Sequence, residues 1–113
     1  MAKTVCLDFD GVMNTYSGWK GEDELFEPRE GLGDFLRKLQ SAGFNVVVHS
    51  TRPAEKIKKW LGERGLNNLV YSVVDKKPMA VCYLDDRGIR FDGDFDAAFE
   101  AIRTFKVYWD KKG

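Results

Sequence analysis

The chain has 113 residues, room for one domain, and area scaling buries about two-thirds of the unfolded surface, enough for a single core without staples. Hydrophobic residues at 43% and aromatics at 13% exclude a disordered composition. Eighteen basic and eighteen acidic residues cancel, which argues against a generic nucleic-acid or anionic-membrane binder and leaves a small charged substrate open.

In chain order, the first β-branched, apolar run is Thr4–Phe9, a predicted strand that closes on Leu7-Asp8-Phe9-Asp10-Gly11-Val12. The next stretch, Val12–Pro28, is rich in Gly, aromatic and acidic residues and has no helical period. It reads as a hairpin-like flap, whose Tyr16, Trp19 and Phe26 either line a substrate pocket or pack the flap onto the body. Gly31–Ala42 is a predicted helix with the stripe Leu32, Phe35, Leu36 and Leu39, stopped by Ser41-Ala42-Gly43. A strand at Phe44–His49 runs into Ser50-Thr51-Arg52-Pro53. Pro53–Arg64 is the second helix, burying Ile57, Trp60 and Leu61 and closed by Gly65. Asn68–Val74 and Ala80–Leu84 read as strands, and Phe95–Phe105 as a helix with Phe95, Ala98, Phe99, Ile102 and Phe105 inward. The tail Lys106–Gly113 reads equally as an edge strand or an oligomer contact. Strands apolar on both faces, separated by helices, predict an α/β domain with a parallel sheet covered on both sides.

Cys6 and Cys82 sit inside apolar runs at a spacing that matches no zinc or redox motif. They read as buried reduced thiols, which together with the absence of a signal-like start or membrane-length run predicts a cytoplasmic protein with no membrane partner.

The chemistry concentrates at strand ends. Asp8 and Asp10 stand two apart where the first strand finishes, and Gly11 lets the chain turn sharply and approach a ligand. Such paired carboxylates repel unless a cation lies between them, and a hard ion such as Mg²⁺ suits them. Tyr83-Leu84-Asp85-Asp86-Arg87 repeats the pattern, so four carboxylates gather at one sheet edge, where the ligand crevice of open α/β sheets lies. Ser50 and Thr51, at a strand end before a helix, offer a phosphate seat through hydroxyl, backbone N–H and dipole; the other reading, compatible with this one, is a helix N-cap, which suits Thr51 more than Ser50. His49, the single histidine, ends a strand beside the site and is either a substrate contact or, the reading preferred here, a packed or half-buried histidine.

Asp8-x-Asp10-Gly11-Val12, the strand-ending Ser50, a lysine at Lys77 and the pair Asp85-Asp86 resemble the four ordered motifs of the haloacid-dehalogenase-like (HAD) superfamily. The run from Lys77 to Phe91 looks like that of its short, nearly capless phosphatases. The resemblance implies a Rossmannoid three-layer sandwich, with the flap at 12–28 in place of a cap domain. It also implies a Mg²⁺-dependent phosphatase acting on a phosphomonoester, such as a sugar phosphate or nucleotide-like metabolite. Asp8 is then the nucleophile, forming an aspartyl-phosphate, and Asp10 the acid and base. Ser50, with Thr51 and Gly11, binds the phosphoryl group. Lys77 (or Lys76) neutralises it, and Asp8, Asp10, Asp85 and Asp86 hold the metal. An open site of this kind often borrows cover from a second subunit, so a homo-oligomer is open. A catalytically silent phosphate- or phosphoprotein-binding module of the same fold is the alternative; Asp10 favours the enzyme, because a silent module needs no leaving-group acid.

Overall fold

A computed structural model describes residues 3–18, 20–21, 24–76, 82–85, 89–91 and 93–104, with the backbone alone at 82, 83, 85, 89 and 90. Trp19, Lys77, Asp86, Phe105 and the 106–113 tail, which figure in the reading above, lie outside the described residues. The described elements are five strands, β1 (Lys3–Asp8), β2 (Phe44–His49), β3 (Ser72–Val74), β4 (Cys82–Asp85) and β5 (Ile89–Arg90), and three helices, α1 (Leu32–Ser41), α2 (Ala54–Glu63) and α3 (Phe95–Thr104). All strand pairs are parallel, in the order β3-β2-β1-β4-β5. The protein is an α/β fold.

Side-chain alternation along the strands decides where the core sits. Val5 pairs with Val46, and Leu7 with both Val48 and Leu84, so these five residues share one face of the sheet. They form one buried cluster with Leu32, Phe35, Leu36 and Leu39 of α1, Ile57, Trp60 and Leu61 of α2, and Phe95, Ala98 and Ile102 of α3. The helical stripes therefore bury the side chains their spacing predicts, each leucine, isoleucine and phenylalanine contributing about 1.5–3 kcal/mol on burial. Phe99 is only half-buried.

Two expectations change. Helices were expected on both faces, yet all three described helices enter the cluster on one. The reason is that α3 lies beside α1, with Phe35 and Phe95 stacked at 4.6 Å between ring centroids. Cys6 and Val47, on the opposite face, are buried as well. The apolar run Asn68–Val74 also does not form a single strand. Asn67–Leu69 makes a 3-10 turn and only Ser72–Val74 joins the sheet. Gly65 (φ +69°) and the Leu66 N–H, which bonds back to the Leu61 carbonyl, close α2 just before this point, and the chain needs that extra turn to reach the sheet edge. Among the described residues no helix is long and apolar enough to cross a membrane.

Candidate active site

The register brings the predicted acids to one edge. Asp8 and His49 are partners at the carboxyl ends of β1 and β2. Leu7 pairs with Leu84, so the residues that follow, Asp8 and Asp85, end neighbouring strands side by side. Ser50 follows β2, and its N–H bonds to the Val74 carbonyl at the end of β3 at 3.1 Å. Four neighbouring strands thus deliver their carboxyl ends to this edge, where ligand crevices form in parallel sheets.

Beyond Asp8 the backbone makes a single wide turn, Phe9–Met13. Asp10 is extended within it (φ −70°, ψ 125°) and Gly11 is left-handed at φ +86°. A Cβ at Gly11 would meet nothing within 4 Å, so the glycine answers a conformational need rather than a shortage of space. The turn buries Phe9 and Met13 and leaves the Asp10 side chain 27% exposed.

Three side chains fasten this turn, and none was assigned a role from sequence. Arg52, whose side chain is fully buried, shares its Nε–H between Asp10 Oδ1 at 3.1 Å and Oδ2 at 2.9 Å, and its Nη1 donates to the Gly21 carbonyl at 3.3 Å. Burying a guanidinium costs several kcal/mol unless acceptors compensate, and here the Asp10 carboxylate takes the Nε–H and the Gly21 carbonyl takes Nη1. Asn14, also fully buried, donates through Nδ2 to Asp10 Oδ1 (3.0 Å) and the Leu25 carbonyl (2.9 Å), while its Oδ1 accepts the N–H groups of Gly11 (2.9 Å) and Tyr16 (3.2 Å). Arg29 Nη2 holds the Gly11 carbonyl at 2.9 Å, with its guanidinium 5.3 Å from the Phe91 ring centroid. The available signal was positional: a cation two residues beyond a strand-ending serine, and an amide one turn beyond an acid, at the edge where carboxylates collect.

The predicted phosphate seat divides. Ser50 is buried and its Oγ accepts the Arg52 N–H at 3.0 Å, whereas Thr51 is exposed. Neither is the helix N-cap, because α2 begins at Ala54 and Pro53 occupies that position with no side-chain cap; the proline ring ends the irregular segment and starts the helix directly. His49 is half-buried, and its Nδ1 stands 3.4 Å from Asp8 Oδ1, so the histidine lies against the first acid. Lys76 is exposed after β3, and Lys77 and Asp86 are outside the described residues. Among the described residues no three His, Cys, Asp or Glu side chains are grouped as metal ligands; the Asp85 side chain is not among those described.

The stretch after the turn doubles back on itself. Arg29 N–H bonds to the Met13 carbonyl and Thr15 N–H to the Glu27 carbonyl, both at 2.9 Å, and Asn14 pairs antiparallel with Pro28. Tyr16 packs edge-on against Phe26 at 5.5 Å, and Trp60 Nε1 on α2 donates to the Phe26 carbonyl at 2.9 Å. Phe26 itself is held at φ +62°, a conformation costing about 1–2 kcal/mol for a residue with a side chain. A cavity of about 1030 Å³ lies elsewhere, between α1 and α3 beside Lys38, Asp96 and Phe99, and neither Asp8, Asp10 nor Ser50 lines it.

No family model matches the chain, and no curated protein does. A solved structure of a conserved protein from Bacteroides thetaiotaomicron is similar to it, with a TM-score of 0.69 and 23% sequence identity over 100% of this chain and 99% of that one. At that identity the likeness shows the fold the two chains share.

Proposed function

We propose that the protein is a Mg²⁺-dependent phosphatase of the haloacid-dehalogenase-like kind, hydrolysing a small phosphomonoester at the carboxyl edge of the sheet. The observation that carries the reading is the juxtaposition of Asp8 and Asp85 at neighbouring strand ends, with Asp10 two residues on and anchored by Arg52 and Asn14. Asp8 then serves as nucleophile: a carboxylate oxygen attacks phosphorus, the P–O ester bond breaks, and the phosphoryl group passes to Asp8. Asp10 gives its proton to the departing alkoxide. Water next attacks the aspartyl-phosphate while Asp10 takes a proton from it, which releases inorganic phosphate and restores both acids. The Ser50 hydroxyl, whose oxygen accepts the Arg52 N–H, still has its own proton to donate to a phosphoryl oxygen.

The donor set fits a hard cation: carboxylates of Asp8 and Asp85 and the Asp10 carbonyl would hold Mg²⁺, with Asp86 supporting its water shell. When bound, the ion neutralises charge on the nucleophile and the phosphoryl oxygens, the main requirement of phosphoryl transfer. The resemblance assigns Lys77 a share of the same task. Tyr16 and Phe26, in edge contact at 5.5 Å in the segment that follows the turn, suit a sugar or a base as the rest of the substrate.

The test is hydrolysis of p-nitrophenyl phosphate and a panel of phosphorylated metabolites with Mg²⁺, alongside the same assays in EDTA. Metal-dependent turnover is expected. Silence across the panel with Mg²⁺ present overturns the enzyme in favour of a phosphate-binding module.

A further inference from the structure

Asp10 is gripped from two sides, and each grip extends further. Asn14 Nδ2 holds Asp10 Oδ1 and also the Leu25 carbonyl; Arg52 holds both Asp10 oxygens and also the Gly21 carbonyl. Asn14 Oδ1 in turn accepts the N–H of Gly11, next to Asp10, and of Tyr16, beyond the turn. Both anchoring side chains are fully buried, where every hydrogen bond left unmade is costly, and Asn14 makes bonds through both its Nδ2 and its Oδ1. Mere adhesion of the loop to the body calls for neither bond to Asp10, since Trp60 already holds the Phe26 carbonyl and the 13–15 and 27–29 backbones pair with each other. The two side chains instead place the Asp10 carboxylate and three points of the 16–26 segment, Tyr16, Gly21 and Leu25, in one hydrogen-bonded unit.

We infer that Asn14 and Arg52 are positioning residues that couple the direction of the Asp10 carboxylate to the positions of Tyr16, Gly21 and Leu25, so that a substrate seated against those residues aims the acid. What Asp10 does to the substrate rests on the phosphatase reading; the coupling itself rests on the geometry alone. A bonded network of this kind transmits a change at one end because losing any member leaves the next donor or acceptor unmatched.

Two measurements test it. The first needs no activity: amide hydrogen exchange of Asp10→Ala against the unaltered protein. The Tyr16 amide is expected to exchange about three- to tenfold faster, as for the loss of one hydrogen bond, while amides of Leu36 and Leu39 in α1 keep their rates. Unchanged exchange at Tyr16 overturns the coupling. Should α1 accelerate too, Arg52→Lys, which keeps the charge, is read in the same way and decides. The second measurement compares kcat/KM of Arg52→Lys on an alkyl phosphate and on p-nitrophenyl phosphate. Nitrophenolate leaves without needing a proton, so the alkyl ester is expected to lose about tenfold more than the aryl ester. Equal losses on both overturn the positioning of the acid, because a general structural defect does not discriminate between leaving groups. If the unaltered protein is silent on both esters and across the metabolite panel, the phosphatase reading falls and the exchange measurement still decides the coupling.

Discussion

Replacing Asn14 by alanine and by aspartate separates hydrogen bonding from shape at the centre of the site. Alanine deletes four bonds, to Gly11 N–H, Tyr16 N–H, Asp10 Oδ1 and the Leu25 carbonyl. A typical bond contributes about 0.5–1.5 kcal/mol net, so the sum lies between about 2 and 6 kcal/mol. The Asp10 side chain is 27% exposed and Tyr16 is 36% exposed, so water replaces the bonds at those ends. The loss then concentrates on the Gly11 N–H and the Leu25 carbonyl, giving about 2–3 kcal/mol, or about 8–12 °C in Tm for a domain of this size. Aspartate is nearly isosteric and keeps the two accepting bonds, but it sets an oxygen where Nδ2 stood, 3.0 Å from Asp10 Oδ1 and 2.9 Å from the Leu25 oxygen. Two carboxylates at that range repel strongly even in a polarisable environment, so Asn14→Asp is expected to be at least as damaging as Asn14→Ala. Urea denaturation followed by far-UV circular dichroism measures both. An aspartate variant within about 1 kcal/mol of the unaltered protein refutes the reasoning, because the buried amide would then not be donating to Asp10 and Leu25.

Other changes probe separate parts of the same structure. Asp8→Asn is expected to abolish phosphate release while leaving the unfolding midpoint near that of the unaltered protein; phosphate release at the unaltered rate sinks the nucleophile assignment. Gly11→Ala is expected to cost about 1–2 kcal/mol through its φ of +86° alone, as no atom blocks the new methyl group, and thermal melts measure it. Trp60→Phe keeps the ring contact with Phe9 at 5.0 Å but loses the bond to the Phe26 carbonyl, so stability falls by about 1 kcal/mol and limited proteolysis within residues 16–26 speeds up. Lys38→Ala removes a 3.1 Å pair with Asp96 whose side chains are 52% and 87% exposed, and melts are expected to register less than about 1 kcal/mol.

Helices were the most legible part of the chain. Leu32, Phe35, Leu36 and Leu39 recur at the helical period, and the burial of that stripe needs nothing beyond α1 and the face it meets. The third strand was less legible, because Val70, Val73 and Val74 suggest one continuous run while the end of α2 at Gly65 forces a turn that only the three-dimensional path reveals. At the site, Asp8, Asp10, Ser50 and Asp85 could be located from strand ends, since register alone brings them to one edge. Arg52 and Asn14 could not. A charged residue in Ser-Thr-Arg-Pro and a polar one in a loop both look solvated, and each is buried by residues distant in sequence: Gly21 and Asp10 around Arg52, and Leu25 and the Pro28 bridge around Asn14. Burial of that kind has no local period for a pattern to detect. The direction of the helices was hidden for the same reason, because periodicity says which stripe is buried and not which side of the sheet receives it.

The antiparallel stem joining Met13 to Arg29 and Thr15 to Glu27 makes the excursion between its arms a natural graft point. A stem holds its two ends at a fixed separation, so extra chain inserted near the exposed Ser17 and Gly18 is anchored to the same frame. Closing a longer excursion costs little entropy, about 0.6 kcal/mol for each doubling of its length. Whole modules could therefore be spliced in above the carboxylates, giving a small scaffold whose recognition surface is exchangeable while the sheet edge stays where it is.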